Sequence, residues 1–353
     1  MKVFLTGERQ IGKSTAIDRF LQETGLHPGG FRTRFHWEGD RRCLYLCPAA
    51  APQDRTLVAR GDSSGMHTIP GAFDSAGPGA LVQRGEITLL DELGFLEAEA
   101  RHFRAAVLSC LEAEDPVLGV LRQGFPGWTG EVARHRAVET LTVTKENRDA
   151  VPLLLRQRFE RLPPLSAVVM ASGHARRFGG DKLRALVEGV PMLQRLFQVL
   201  PRPLFRTVAV VARDPVLLDL AAAWGLTPVP NDDQTNDTAI TIRLGLSAIS
   251  PDSAGCMFFV GDQPWLTQAT IVDLCRRFYA HPERICLPVC QGRRGNPVLF
   301  PQSLFAELKK LPPHGQGRVV IRNHPRSVLE RETEARELHD VDHVSDLKIS
   351  WKS

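Results

Sequence analysis

Two stretches of this sequence bring phosphate-handling residue types together at workable spacing. The first is Gly7-Glu8-Arg9-Gln10-Ile11-Gly12-Lys13-Ser14-Thr15, which satisfies G-x-x-x-x-G-K-[ST]. Glycines in such a turn let consecutive backbone N–H groups point inward on a phosphate at a helix N-terminus. Lys13 adds a point charge for the β/γ oxygens, and the Ser14 hydroxyl can ligate Mg²⁺. Gly7, Gly12, Lys13, Ser14 and Thr15 are therefore the expected nucleotide contacts. Further along, Ile87-Thr88-Leu89-Leu90-Asp91-Glu92 is an apolar run that ends in two carboxylates. Asp91 is expected to hold the Mg²⁺ through water, and Glu92 to orient or deprotonate an attacking water.

The second stretch, Met170-Ala171-Ser172-Gly173-His174-Ala175-Arg176-Arg177-Phe178-Gly179-Gly180-Asp181-Lys182, sets three glycines among basic residues at the end of an apolar run. Backbone N–H groups near Ser172 and Gly173 suit phosphate oxygens. Arg177 and Lys182 suit the negative charge that develops when pyrophosphate leaves. Phe258-Phe259-Val260-Gly261-Asp262-Gln263-Pro264 delivers a carboxylate at a strand end, where ligands of open α/β sheets bind. Asp262 is the expected ligand of a Mg²⁺ between an α-phosphate and its nucleophile. Asp342, or its neighbour Asp340, is a candidate second ligand.

These loops need strands and helices to hold them, and the hydrophobic pattern supplies both. In the first half, strands are predicted at 2–6, 42–46, 87–90, 117–120 and 141–143, and helices at 14–24, 98–112 and 147–161. The Gly-, Ser- and Pro-rich stretch 61–80 reads as a mobile or irregular surface loop. Leu162-Pro163-Pro164 breaks the last helix, which places a domain boundary there: residues 1–162 and 163–353. The pattern then restarts, with strands at 167–171, 207–211 and 257–260 and helices at 191–199, 216–224, 268–279 and 302–308. Alternation of this kind in both halves predicts an α/β fold with two domains, each built on an open, mostly parallel sheet.

The apolar fraction of 43% and the charged fraction of 24% exclude a disordered or fibrous class. Basic and acidic residues number 21 each up to Leu162, so the net charge of +4 comes from no basic face, and nucleic acid is not an expected partner. No apolar run approaches the ~20 residues needed to span a bilayer. The seven cysteines and the strand-like start point to a reducing, cytoplasmic setting. The pairs Cys43/Cys47 and Cys286/Cys290 fall in strand-like runs and read as small buried residues, not zinc ligands. Trp265 is expected to pack beneath the loop that bears Asp262, or to line a pocket beside it.

On Phe4–Thr15, Gly29–Thr33, Leu90–Gly94 and Val143–Asp149, the first half resembles the P-loop nucleoside triphosphatases described first from thermophiles. The resemblance implies slow hydrolysis of several nucleoside triphosphates, with Lys13, Ser14, Asp91 and Glu92 in the roles above. That family's usual Pro-Met after Asp-Glu-x-Gly is here Phe95-Leu96. The second half resembles the MobA/MocA-like nucleotidyltransferases of molybdenum cofactor synthesis, a Rossmann-like fold. The cytidylyltransferase branch is closer on Gly261–Pro264 and Arg294–Pro297, while Gly295–Phe300 and Asp340–Asp342 carry the wider resemblance. It implies Mg²⁺-dependent attack of the molybdopterin phosphate on CTP, release of pyrophosphate, and an apo molybdenum hydroxylase as a partner. Two segments depart from that pattern, Asp237-Thr238-Ala239-Ile240-Thr241 and Pro313-His314-Gly315-Gln316. A sugar-1-phosphate nucleotidyltransferase joined to a triphosphate-driven switch or chaperone is the alternative, because the same fold serves that chemistry.

Overall fold

The computed structural model describes residues 1–83, 85–124, 127–173 and 178–348. The chain divides into two compact units, Met1–Glu160 and Arg161–Ser353.

The first unit is built on an eight-stranded sheet of order β5-β4-β3-β2-β6-β7-β1-β8. Its strands are β1 (Lys2–Thr6), β2 (Pro28–Glu38), β3 (Arg41–Pro48), β4 (Thr56–Asp62), β5 (Gly65–Thr68), β6 (Ile87–Leu93), β7 (Val117–Leu121) and β8 (Val138–Thr142). Parallel pairing from β2 through β8 forms the platform, and β2 to β5 run on as an antiparallel meander. Helices α1 (Lys13–Thr24), α2 (Ala72–Val82), α3 (Arg101–Glu112), α4 (Trp128–Arg134) and α5 (Val151–Phe159) accompany it. Two large apolar clusters, and a small one of Cys43, Tyr45 and Cys47, fill the unit. One large cluster joins Ile17 and Phe20 of α1 to β1 and to Leu155 of α5, and the second joins Phe103 and Val107 of α3 to Phe31 and Phe73.

The segment 61–80 is not the irregular loop its composition suggests, because it contains β5 and most of α2. One of its glycines serves packing. At Gly77 an added Cβ would lie 2.1 Å from the Phe103 ring, so only a residue without a side chain lets α2 lie this close to α3. Phe103 is fully buried, with the rings of Phe31, Phe73 and Trp128 around it.

The second unit starts with β9 (Leu165–Ala171) and includes a short ribbon of β10 (Leu186–Val187) and β11 (Val190–Pro191). Its main sheet adds β12 (Phe205–Ala212), β13 (Thr227–Pro230), β14 (Gly255–Val260), β15 (Ile285–Cys290), β16 (Arg293–Arg294), β17 (Val298–Pro301) and β18 (Val328–Glu332). The order is β13-β12-β9-β14-β17-β15-β16, with β18 beside β15. Strands β13, β12, β9 and β14 are parallel, and β17 is antiparallel to β14. Helices α6 (Met192–Val199), α7 (Pro215–Ala223), α8 (Thr238–Ala248), α9 (Gln268–Ala280), α10 (Phe305–Lys309) and α11 (Gly317–Asn323) complete it. β9 and β14 end side by side, which brings Ser172 and Asp262 to the same sheet edge. Among the described residues, no helix is long and apolar enough to cross a membrane.

Gly77→Ala tests the α2–α3 contact. Helix propensity alone favours Ala over Gly by about 1 kcal/mol. Overpacking against a ring that cannot swing away costs about 1–3 kcal/mol and should dominate. Urea denaturation of the full chain should therefore show an earlier first-unit transition, and an unchanged or later one would mean that the ring yields.

Candidate active sites

In the first unit, the turn after β1 is forced into shape by its neighbours. Gly7 has φ +134°, and a Cβ there would lie 2.3 Å from the Val143 carbonyl oxygen. No other residue type fits. Gly12 continues the turn at φ +108°, and its carbonyl accepts the first helical hydrogen bond, from Ala16 N–H at 2.9 Å. Lys13 donates to the carbonyls of Gly7 (2.9 Å) and Glu8 (2.7 Å), so its ammonium lies folded along the turn. Ser14 and Thr15 begin α1 with exposed side chains.

Asp91 and Glu92 lie on β6, separated from β1 by β7, yet they act electrostatically on Lys13. Burial lowers the Lys13 pKa, and Glu92 and then Asp91 offset part of that effect. Asp91 is itself buried, and burial pushes its carboxyl up to about 6 despite the opposing pull of Arg32. Arg32 reaches Asp18 at 2.6 Å and Asp91 at 3.9 Å, linking β2, α1 and β6 around the turn. Gly30 makes this possible, since a Cβ there would lie 2.2 Å from the Leu89 carbonyl oxygen.

The sequence reading assigned no role to Glu97, although it is almost fully buried. Burial raises its pKa to about 7, and the nearby charge of Glu92 adds to the rise, while the donated N–H of Gly94 opposes it. Trp128 donates to the Gly94 carbonyl at 2.8 Å, so this loop is fixed from two sides.

In the second unit, a cavity of about 460 Å³ is lined by Ser172, Gly173, Lys182, Arg213, Asn236 and Asp262 among others, within the range of small-ligand sites. Ser172 is buried and donates to the Val211 carbonyl at 3.0 Å, pinning the loop to β12. Arg213, which sequence reasoning missed, donates to the Ser172 carbonyl and, at 2.7 Å, to the Asp233 carbonyl. The Ser172–Gly173 loop is thereby tied to the segment before α8. Arg177 and His174 lie outside the described residues.

Lys182 donates to Asp262 at 2.7 Å and to Asp342 at 3.1 Å. Burial disfavours its ammonium, but Asp262 and Asp342 outweigh that, and its pKa stands above the ordinary lysine value. Asp340 stands beside this group and accepts from Gln263 at 2.8 Å. Its carboxyl is raised by burial and by repulsion from Asp262. Val341 N–H donates to the Asp262 carbonyl at 3.0 Å, which brings the C-terminal carboxylates to the end of β14. Trp265 packs beneath this point with Val187, Met192 and Val341, so it serves the core beneath the loop.

The C-terminal segment is held by Glu337, also missed from sequence. Its carboxylate is buried and accepts from Thr267 N–H (2.9 Å) and from the hydroxyls of Thr267 (2.7 Å), Thr270 (2.5 Å) and Thr333 (2.6 Å). Burial works against this charge, yet the donors hold its pKa below the ordinary value. The two segments that depart from the family pattern are joined in the fold. The Asp237 carboxylate caps α8 through Ala239 N–H (2.8 Å) and accepts from His314 N–H (3.0 Å).

Both sites offer a divalent cation oxygen ligands, Ser14 and Asp91 in one and Asp262 and Asp342 in the other. In the second, the Lys182 ammonium already occupies a cationic position between two carboxylates. Among the described residues, no three His, Cys, Asp or Glu side chains form a metal cage. A Mg²⁺ that keeps several waters calls for one or two carboxylates plus substrate phosphates.

Glu97 makes a pH prediction. Its folded pKa of about 7 exceeds the ordinary 4.5. The neutral form is thus favoured by folding, and the contribution is fully present below about pH 4.5 and is lost as pH rises through 7. Glu97→Gln should stabilise the first unit relative to the parent by up to about 3 kcal/mol at pH 8 and by little at pH 4.5. Thermal unfolding across that range checks it, and a difference independent of pH would count against the assignment.

Comparison with known proteins finds two matching regions. Residues 2–155 match the NTPase family, and residues 167–328 match the MobA-like NTP transferase domain. The chain is 27% identical over 173 residues to nucleoside-triphosphatase THEP1 of Methanosarcina barkeri, covering 46% of this chain and 99% of that protein. It is 28% identical over 160 residues to THEP1 of Methanocaldococcus jannaschii, covering 42% and 91%. Among solved structures, a nucleotidyl transferase from Methanothermobacter thermautotroptrophicus is 19% identical, covering 52% of this chain and 94% of that one with a TM-score of 0.45. THEP1 from Aquifex aeolicus is 20% identical, covering 46% and 100% with a TM-score of 0.38. The chain thus carries an N-terminal region that matches the NTPase family model and a C-terminal region that matches the MobA-like NTP transferase model.

Proposed function

We propose that the first unit hydrolyses nucleoside triphosphates and that the second transfers CMP from CTP to the phosphate of molybdopterin, as a step in maturing the cofactor of a molybdenum hydroxylase. The observation that carries the transfer reading is the buried Lys182 ammonium between Asp262 and Asp342 at a cavity entered by the Ser172–Gly173 loop. The choice of CTP and molybdopterin rests on Gly261–Pro264 and Arg294–Pro297, the motifs shared with cytidylyltransferases.

In the first unit, backbone N–H groups between Gly7 and Thr15 bind the phosphates and Lys13 neutralises them. Glu92 accepts the proton of the attacking water. Ser14 and Asp91 are the residues that would hold Mg²⁺. In the second unit, Ser172 and Gly173 orient the triphosphate, and Lys182 and Arg177 balance the charge of the departing pyrophosphate. Asp262 and Asp342 would hold a second Mg²⁺. Bound there, the ion would supply positive charge to the phosphate oxygens.

Pyrophosphate release with Mg²⁺ and molybdopterin, comparing CTP, GTP and ATP on a Lys13→Ala background, tests the transfer. CTP-selective, pterin-dependent release is expected, and no release with any nucleotide would overturn the reading and direct the assay to sugar phosphates. The two activities should also separate. Lys13→Ala should lower hydrolysis by roughly 100-fold or more and spare transfer, and Asp262→Ala should do the reverse. Loss of both from either change would contradict independent sites.

A further inference from the structure

Strand β7 lies between the strand that leads into the phosphate turn and the strand that carries Asp91 and Glu92, and it is parallel to both. Leu5 of β1 is level with Val120, and Leu93 of β6 with Leu121. Arg122, the residue after β7, therefore stands at the sheet edge level with Gly7 on one side and Gly94 on the other. Its N–H donates to the Leu93 carbonyl at 3.0 Å. Its side chain runs along the Gly94 loop, with Cδ 3.7 Å from where a Cβ on Gly94 would lie and the guanidinium carbon 4.8 Å from the centre of the Phe95 ring. Its charge reaches Glu97, where it opposes the rise that burial drives. The loop under it is fixed, since Glu97 accepts from Gly94 N–H and Trp128 donates to the Gly94 carbonyl. Phe95 is 43% exposed on that fixed loop, so much of its ring stands clear of the core and offers a face to a cation. Two other cations of the site are committed. Lys13 donates to two carbonyls of the turn, and Arg32 is shared between Asp18 and Asp91. A phosphoryl group passing between the turn and Glu92 spreads negative charge over three oxygens, beside carboxylates that repel it, and calls for a further cation on that side.

We propose that Arg122 is a catalytic residue of the first site, the cation that holds the terminal phosphoryl oxygens during hydrolysis, and that Phe95 is the positioning residue that aims it. The inference rests on the hydrolase reading of this unit. A water oxygen forms the new bond to the γ-phosphorus and its proton passes to Glu92. The bond from that phosphorus to the bridging oxygen breaks, and the electron pair leaves with the nucleoside diphosphate. Arg122 stays protonated throughout and offers the oxygens its parallel N–H fork. The Phe95 ring limits where that fork can point, so the charge is in place before the bond breaks.

The test uses the full chain with Mg²⁺ and ATP and reads the first unit through phosphate release. Arg122→Gln should lower kcat by about 100-fold or more and leave KM within about threefold of the parent. Two analogues then separate catalysis from structure. ADP with fluoroaluminate imitates the transferring phosphoryl group, and the β,γ-imido analogue of ATP imitates the bound substrate. The part of each binding signal that Lys13→Ala removes reports the first site. Arg122→Gln should lose the affinity that fluoroaluminate adds to ADP while binding the imido analogue like the parent. Phe95→Ala should lower kcat by about tenfold, and Phe95→Tyr, which keeps a ring, should restore it. Parent-like kcat in Arg122→Gln, equal loss of both analogues, or a Phe95→Tyr chain as slow as Phe95→Ala would overturn the proposal and leave the hydrolase reading standing. A parent chain with neither phosphate release nor a response to fluoroaluminate would sink the hydrolase reading and this assignment with it.

Discussion

Burying the Lys182 ammonium costs solvation that only nearby anions return, and here the anions come from residues 80 and 160 positions away in the chain. One nitrogen therefore ties together the glycine loop after β9, the end of β14 and the C-terminal segment. Much of the surrounding structure works to present those anions. Val341 hydrogen-bonds to the Asp262 backbone, Gln263 holds Asp340, and Glu337 anchors the approach to both. The core of Val187, Met192, Trp265 and Val341 fills the space beneath. Burial first, and then the charges of Asp262 and Asp342, explain why Asp340 resists ionisation.

The first unit solves a related problem with different parts. Its phosphate turn and its strand-end carboxylates lie on strands that are not neighbours, since β7 runs between β1 and β6. Arg32 closes that gap from the far side, reaching both Asp18 and Asp91. Two buried acids, Asp91 and Glu97, then share one small region, and burial raises both. Such raised acids are common where a fold stores charge for chemistry, although structural networks produce them as well.

The parts of both candidate sites that are local in the chain are legible in the sequence. The G-x-x-x-x-G-K-S turn, the strand ending in Asp91 and the strand ending in Asp262 each declare themselves within about ten residues, because pattern and chemistry coincide there. Lys182 and Asp342 were legible as residue types, but their meeting was not, since it depends on how the last segment crosses the end of the sheet. Glu97, Arg213 and Glu337 gave no signal, as their burial and partners come from tertiary contacts. The three threonines that surround Glu337 lie in two separate segments, one of them about 70 residues away. Segment 61–80 misled for a related reason. Gly77 reads as a loop former in sequence, but in the fold it is the small residue that lets two helices touch.

The hold on the C-terminal segment differs in kind from the ion pairs around it. Glu337 is bound by hydroxyl and amide dipoles in a buried setting, where dissolved ions cannot gather around the charge. The pairing of Lys182 with Asp342, whose side chain is half exposed, stays open to screening by those ions. Rising ionic strength therefore acts unequally on the two ends of this short segment, loosening the Asp342 tip while its Glu337 root stays fixed. The carboxylate at the tip can shift position in brine without the turn that carries Glu337 coming away.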